Sequence, residues 1–249
     1  MDLGILWRQI VLETRLFIRR KDDLFWTIAF PVFFMILYGL IYGDTFWQDY
    51  GIRAIDYTIP GIMVMALMVT GIMATASGFA EEREKGLYRR LALTPLKRHT
   101  LLAGQIIHRY FVIMVQILLL LLIGILAFKI KINGNYFWLW LVMTIGGLCF
   151  LSVGFALTGL IRSARSATPI CMTVYFLLMF LGGLFFPVNV MPEFLKHIAN
   201  ALPATNLNDI LRMVMLQGAT LADVWQELLI VGGWTAGCLI LAVKFFRWE

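Results

Sequence analysis

The chain has 249 residues, 61% of them hydrophobic and only 14% charged, with a mean hydropathy of +0.83; ordinary globular domains carry about a quarter charged residues. A soluble core of this length cannot bury nineteen Phe and eight Trp without leaving large apolar patches in water, so the composition excludes a water-soluble enzyme or binding domain. The net charge of +6 and the pI of about 9.4 come from four separate membrane-flanking segments and not one groove-sized patch, which argues against nucleic acid as a partner.

In chain order, residues 1–23 place Leu3, Leu6, Ile10, Thr14 and Phe17 at helical spacing, with Arg8, Glu13, Arg15 and Arg19 mostly off that stripe. This predicts an amphipathic interfacial helix; an unstructured basic tail is the plainer alternative. A spanning helix needs about 20 apolar residues, because the hydrocarbon layer is about 30 Å thick and a helix rises about 1.5 Å per residue. Six runs qualify, and the predicted spans are residues 24–43, 57–80, 104–128, 136–161, 167–187 and 224–246. The expected fold is therefore all-α: a single polytopic transmembrane domain over residues 1–249.

An even number of spans places both termini on one side. Sixteen of the twenty-one basic residues flank that side, leaving Arg53, Lys129, Lys131, Lys196 and Arg212 on the other, so both termini are expected in the cytoplasm. A cleavable signal peptide is not expected, because residues 1–23 are charged throughout and the first span is full length. Between spans 2 and 3, residues 81–99 read EEREKGLYRRLALTPLKRH. Leu87, Tyr88 and Leu91 share a helical face inside a ring of charges, and Pro95 disfavours α geometry at Thr94. A short charged helix with a small apolar face suits docking into a groove on a soluble partner; a solvated hairpin is the alternative. On the other side, residues 188–223 are broken by Pro192 and Pro203, which predicts two short outer helices too short to span.

Chemistry is sparse. Cys149, Cys171 and Cys238 all lie in apolar runs, and their odd number implies no disulfide framework. His99, His108 and His197 are scattered, and no phosphate loop, dinucleotide fingerprint, zinc-protease or nucleophile-elbow motif occurs. No ionisable residue stands near the centre of a predicted span, which argues against self-powered secondary transport and intramembrane catalysis. The pairs Gly39/Gly43 and Gly233/Gly237 have the spacing of close helix packing, within or between subunits.

The order of parts, the stretch GFAEEREKGLYRRLALTPLKRHTLLAGQI and the outer stretch GGLFFPVNVMPEFLKHIANALPATN together resemble the membrane subunit of the type-2 ABC transporter family over essentially the whole chain. The chain is most similar to drug-export permeases of the daunorubicin-resistance kind, and also to exporters of polysaccharide or lipid-linked glycan. The resemblance implies a permease subunit of an ATP-driven exporter in the bacterial inner membrane, moving a hydrophobic or amphipathic drug-like or lipid-like substrate. It implies two copies of a separate ABC ATPase subunit and a second permease copy, as homodimer or related heterodimer. ATP and magnesium then belong to the ATPase, so this chain has no cofactor, metal or catalytic residue and is not itself an enzyme. Residues 81–99 become the coupling helix, with Glu82, Arg83, Glu84, Gly86, Leu87, Arg90, Leu91 and Pro95 as ATPase-coupling residues. The cargo path, lined by spans 1, 2 and 5, takes Phe33, Thr70, Phe176 and Phe180 as candidates. The reading from another class is a polytopic membrane enzyme or scaffold that holds a soluble partner.

Overall fold

The computed structural model describes residues 3–43, 45–47, 52–88, 98–161, 163–184, 188 and 191–245. Among the described residues six helices are long and apolar enough to cross a membrane, so the chain is a multi-pass, all-α protein: Lys21–Tyr42, Ala54–Glu84, Ala103–Phe128, Tyr136–Leu160, Ala164–Leu181 and Trp225–Lys244, here spans 1 to 6. A helix over Leu3–Arg19 precedes them, and two short helices, Glu193–Ala201 and Pro203–Arg212, lie between spans 5 and 6. The described extended structure is one two-residue antiparallel pair, Phe46–Trp47 against Ile52–Arg53, in the link between spans 1 and 2.

Two helix ends differ by more than three residues from those read off the apolar runs. Span 2 continues through the charged residues to Glu84, because Lys85 pairs with Glu81 one turn back and the helix stops only where Gly86 takes a left-handed φ of 67°. Span 5 ends at Leu181, short of 187, because Gly183 turns left-handed with φ 63°.

Spans 2 and 4 form the core. The apolar window of span 2 is 89% buried and that of span 4 is 72% buried, against 22% for spans 1 and 5 and 17% for span 6. Spans 2 and 4 approach through glycine: a Cβ on Gly154 would overlap the Gly71 carbonyl oxygen, and one on Gly71 would meet Phe150 Cβ at 2.6 Å. Small residues let backbones come close enough for dispersion to hold helices together where the lipid removes any hydrophobic drive. Of the pairs singled out by spacing, Gly39 packs under the Phe128 ring, whereas Gly233 and Gly237 meet nothing within 4 Å among the described residues.

Spans 1 and 2 each carry a π-turn, Phe25–Ala29 and Val69–Ala74, where the helical ladder slips by one residue. Span 3 attends to both. The buried Gln116 side chain donates to the Thr27 carbonyl and accepts from Thr70 Oγ1 at 3.0 Å. Two turns earlier, Arg109 Nη1 donates to the Ala74 carbonyl at 2.7 Å. Polar groups that the apolar interior would otherwise penalise are thus paired with each other.

Three arginines close the C-terminal ends of three successive spans, where the last carbonyls lack helical partners. Arg53, held by Asp56, donates to Phe128 and Lys129 at the end of span 3, at 3.2 and 3.1 Å. Arg83 donates to Thr158 and Ile161 at the end of span 4. Arg212, from the second of the two short helices, donates to Gly183 at 3.0 Å and Leu184 at 3.4 Å just past span 5, with its guanidinium 3.8 Å from the centre of the Tyr57 ring. Asn208 donates to the same Gly183 oxygen at 3.0 Å. The two short helices are therefore fastened across the adjoining ends of spans 2 and 5.

Candidate functional site

The last turn of span 2 is built by three consecutive residues that reach three different helices. Glu82 points inward, 9% exposed, and its Oε2 accepts from Tyr88 Oη at 2.7 Å and from Gln105 Nε2 of span 3 at 2.9 Å. Arg83 turns to the end of span 4, as described. Glu84 Oε2 accepts the Ala164 amide at 2.7 Å, at the first residue of span 5. Beyond Gly86, Leu87 is exposed at 36%, while Tyr88 is buried and stacked on Phe79 at 6.0 Å. Of the residues singled out by the sequence for ATPase coupling, Glu82, Arg83 and Glu84 thus bond within the chain, Gly86 is the half-buried turn that ends span 2 and Leu87 is exposed just past it; Arg90, Leu91 and Pro95 lie outside the described residues.

The N-terminal helix lies against span 3. Leu6, Ile10, Thr14 and Phe17, the stripe expected to face the membrane surface, are buried or half-buried. Thr14 Oγ1 and His108 Nδ1 are 3.1 Å apart, and the Phe17 and His108 rings meet edge to face at 5.8 Å. The opposite flank leaves Trp7, Leu12 and Ile18 exposed.

Between the N-terminal helix and spans 2 and 3 lies a small polar crevice of about 90 Å³, whose walls include Glu13, Arg20, Asp23, Glu81, Glu82 and Arg109. Burial, then the nearby Glu82 carboxylate, raises the Glu13 pKa above its ordinary value, with Arg109 and a Gln105 hydrogen bond opposing. Burial, then Glu82, likewise pushes the Tyr88 phenol up, which keeps it a hydrogen-bond donor. Among the described residues no three His, Cys, Asp or Glu side chains come together as a metal site would need.

On the other flank, spans 1, 2 and 5 enclose an apolar groove of about 450 Å³. Its walls include Trp26, Phe30 and Phe34 of span 1 and Tyr175, Phe176 and Met179 of span 5, with Met65, Val69 and Met73 of span 2 behind. It adjoins the polar crevice: Asp23, Thr27, Ala74 and Ser77 border both. Phe176 lines the groove, and Thr70 lines the crevice while bonded to Gln116. Phe33 and Phe180 are exposed at 58% and 60% and line neither. The groove's aromatic pair Phe30 and Phe34 has the i, i+4 spacing that marks one helix face, but the sequence offers no way to choose that face over the one carrying Phe33.

The profile of the ABC-2 type transporter family matches residues 7–216. The chain belongs to the ABC-2 type transporter family. This ABC-2 chain is 25% identical over 246 residues to the putative transport permease YvfS of Bacillus subtilis (strain 168), covering 98% of both. It is 26% identical over 172 residues to the probable multidrug ABC transporter permease YbhR of Escherichia coli (strain K12), covering 69% of this chain and 47% of that one. It is 22% identical over 223 residues to the daunorubicin resistance ABC transporter permease protein DrrB1 of Streptomyces coeruleorubidus, covering 88% and 78%. The ABC-2 chain thus spans the full length of one relative and about half of another. With six spanning helices and permease relatives, it is a multi-pass transport permease.

Proposed function

We propose that this permease is the membrane subunit of an ATP-driven exporter, moving a hydrophobic or amphipathic, drug-like or lipid-like substrate out of the cytoplasm by alternating access. The observation that carries the reading is the pairing of two features on spans 2 and 5: an apolar groove large enough for a small organic molecule, and an exposed Leu87 just past the end of span 2, where Glu84 ties spans 2 and 5 together. The names of the multidrug and daunorubicin resistance relatives support such a cargo. The four methionines on the groove, Met65, Met73, Met172 and Met179, favour an apolar occupant over a glycan, because thioether chains mould to apolar shapes and offer sugars few hydrogen bonds.

The excess of basic residues beside the termini supports a cytoplasmic location for that end, in the inner membrane of a bacterium. Two copies of a separate ATPase subunit would then dock at the segment around Leu87 and supply ATP and magnesium. The exposed apolar faces of spans 1 and 5 favour a second permease copy or lipid against them. ATP-driven closure of the ATPase pair would press on the two coupling segments, tilt the bundles and open the outer mouth.

The test is Leu87→Asp. Membrane insertion and thermal stability are expected to match the wild type, while co-purification with the ATPase and ATP-dependent export are lost. A Leu87→Asp permease that keeps its ATPase and its export would overturn the docking role.

A further inference from the structure

We propose that Glu82, Arg83 and Glu84 are positioning residues that form a strut, carrying movement of the loop at Leu87 into spans 3, 4 and 5, and that they are not ATPase contacts. This rests on the coupling reading above and assigns these three residues a task inside the membrane subunit.

The geometry is that of one helical turn. Successive helical side chains are about 100° apart, so three in a row sweep about 200° of the helix circumference. Here that arc meets three separate helices. Glu82 takes Gln105 of span 3 at 2.9 Å, Arg83 takes Thr158 and Ile161 at the end of span 4, and Glu84 takes the Ala164 amide at the start of span 5 at 2.7 Å.

Each charge suits the helix end it meets. The carbonyl end of span 4 carries partial negative charge and receives a guanidinium, whereas the amide end of span 5 carries partial positive charge and receives a carboxylate. Only three residues, Ile161 to Ser163, separate these ends, so the Arg83–Glu84 pair grips both sides of one short turn.

The strut is also tied to the loop it would serve. Tyr88 donates to Glu82 at 2.7 Å and stacks on Phe79, while Phe79, Tyr88, Phe155 and Ala242 share one small apolar cluster that includes spans 4 and 6. Displacement of Leu87 therefore has a contiguous path into the bundle. Nothing in this path requires the strut carboxylates to face a soluble partner.

The test compares the full permease, co-reconstituted with its candidate ATPase in lipid nanodiscs, as wild type, Arg83→Ala/Glu84→Gln and Leu87→Asp. The double variant is expected to retain the ATPase as the wild type does, while the change in amide hydrogen exchange that ATP induces across span 5 falls at least about tenfold, the factor that loss of a single charge-assisted hydrogen bond carries, since the variant removes Arg83's donors and the charge on Glu84. Glu84→Asp in the presence of Arg83 is expected to recover part of the response. Loss of ATPase binding in the double variant would place these residues in the docking surface, and an unchanged ATP response would remove them from transmission; either overturns the strut. If the wild type captures no ATPase, the coupling reading has failed by itself. The strut is then judged without nucleotide: exchange at Ala164 and the first turn of span 5 should rise about tenfold in the double variant with span 3 unchanged, and no rise there would overturn it.

Discussion

The two ends of the bundle are held by the same kind of bond arranged in opposite ways. At the end away from the termini, arginines arrive from separate elements: Arg53 from the link into span 2 closes span 3, and Arg212 from the short helices between spans 5 and 6 closes span 5. At the end bearing the termini, a single turn of span 2 reaches spans 3, 4 and 5 through Glu82, Arg83 and Glu84. Fastenings supplied by different elements hold those elements in place relative to each other. A fastening concentrated in one turn moves neighbouring helices together when that turn is pushed. The first arrangement is a staple and the second a lever, so damage to the first should appear as lost stability and damage to the second as lost coupling.

The largest expected effect is at Arg212, whose side chain is only 11% exposed. Arg212→Ala removes the Leu184 carbonyl's donor, leaves the Gly183 carbonyl with Asn208 alone, strips the cation from the Tyr57 face and leaves Asp209 without its ion-pair partner. A loss of about 2–4 kcal/mol is expected. It can be read as earlier thermal exposure of the three buried thiols, Cys149, Cys171 and Cys238, to a thiol-reactive dye. Arg53→Ala, at a site 33% exposed, should lower the same midpoint by less, about 1 kcal/mol. Equal losses at the two sites would show that the short helices between spans 5 and 6 are not the tighter fastening.

The lever end carries a group held against its ionic preference, which sharpens the contrast. The raised pKa of Glu13 means that folding disfavours its carboxylate. Its contribution to stability is therefore fullest below its unfolded pKa and is lost as pH rises through the raised folded value. Glu13→Gln, which never ionises, should melt higher than the wild type at pH 7.5, with the gain shrinking to nothing as the pH falls to the ordinary carboxylate range. A gain independent of pH would mean that Glu13 is not neutral-favoured in the crevice between Glu82 and Arg109. The smallest effect is on the groove: Phe176→Ala should weaken cargo-stimulated ATP hydrolysis several-fold with stability little changed, whereas Phe33→Ala, outside the groove, should do neither.

Much of the architecture was legible in the sequence because the bilayer imposes a length on every apolar run. All six spans were found that way. The continuation of span 2 through Glu81–Glu84 was not, since a charge-free run ends at the first carboxylate whereas a helix ends where its backbone turns, here at Gly86. The inward role of Glu82 was equally hidden. Charged residues in a loop read as solvent-facing, and only the tertiary approach of Gln105, Thr158 and Ala164 gives them partners. The groove was half visible, in Phe176 but not in Phe30, Phe34 or Tyr175, because in an apolar helix the aromatic residues surround the axis and the phase is fixed only by neighbouring spans.

The most direct measurement is ATP hydrolysis by the candidate ATPase in lipid nanodiscs, alone, with wild-type permease and with Leu87→Asp permease. Stable association and permease-dependent hydrolysis that require Leu87 are the predicted result. Hydrolysis and association indifferent to both the permease and Leu87 would contradict a permease driven through this segment.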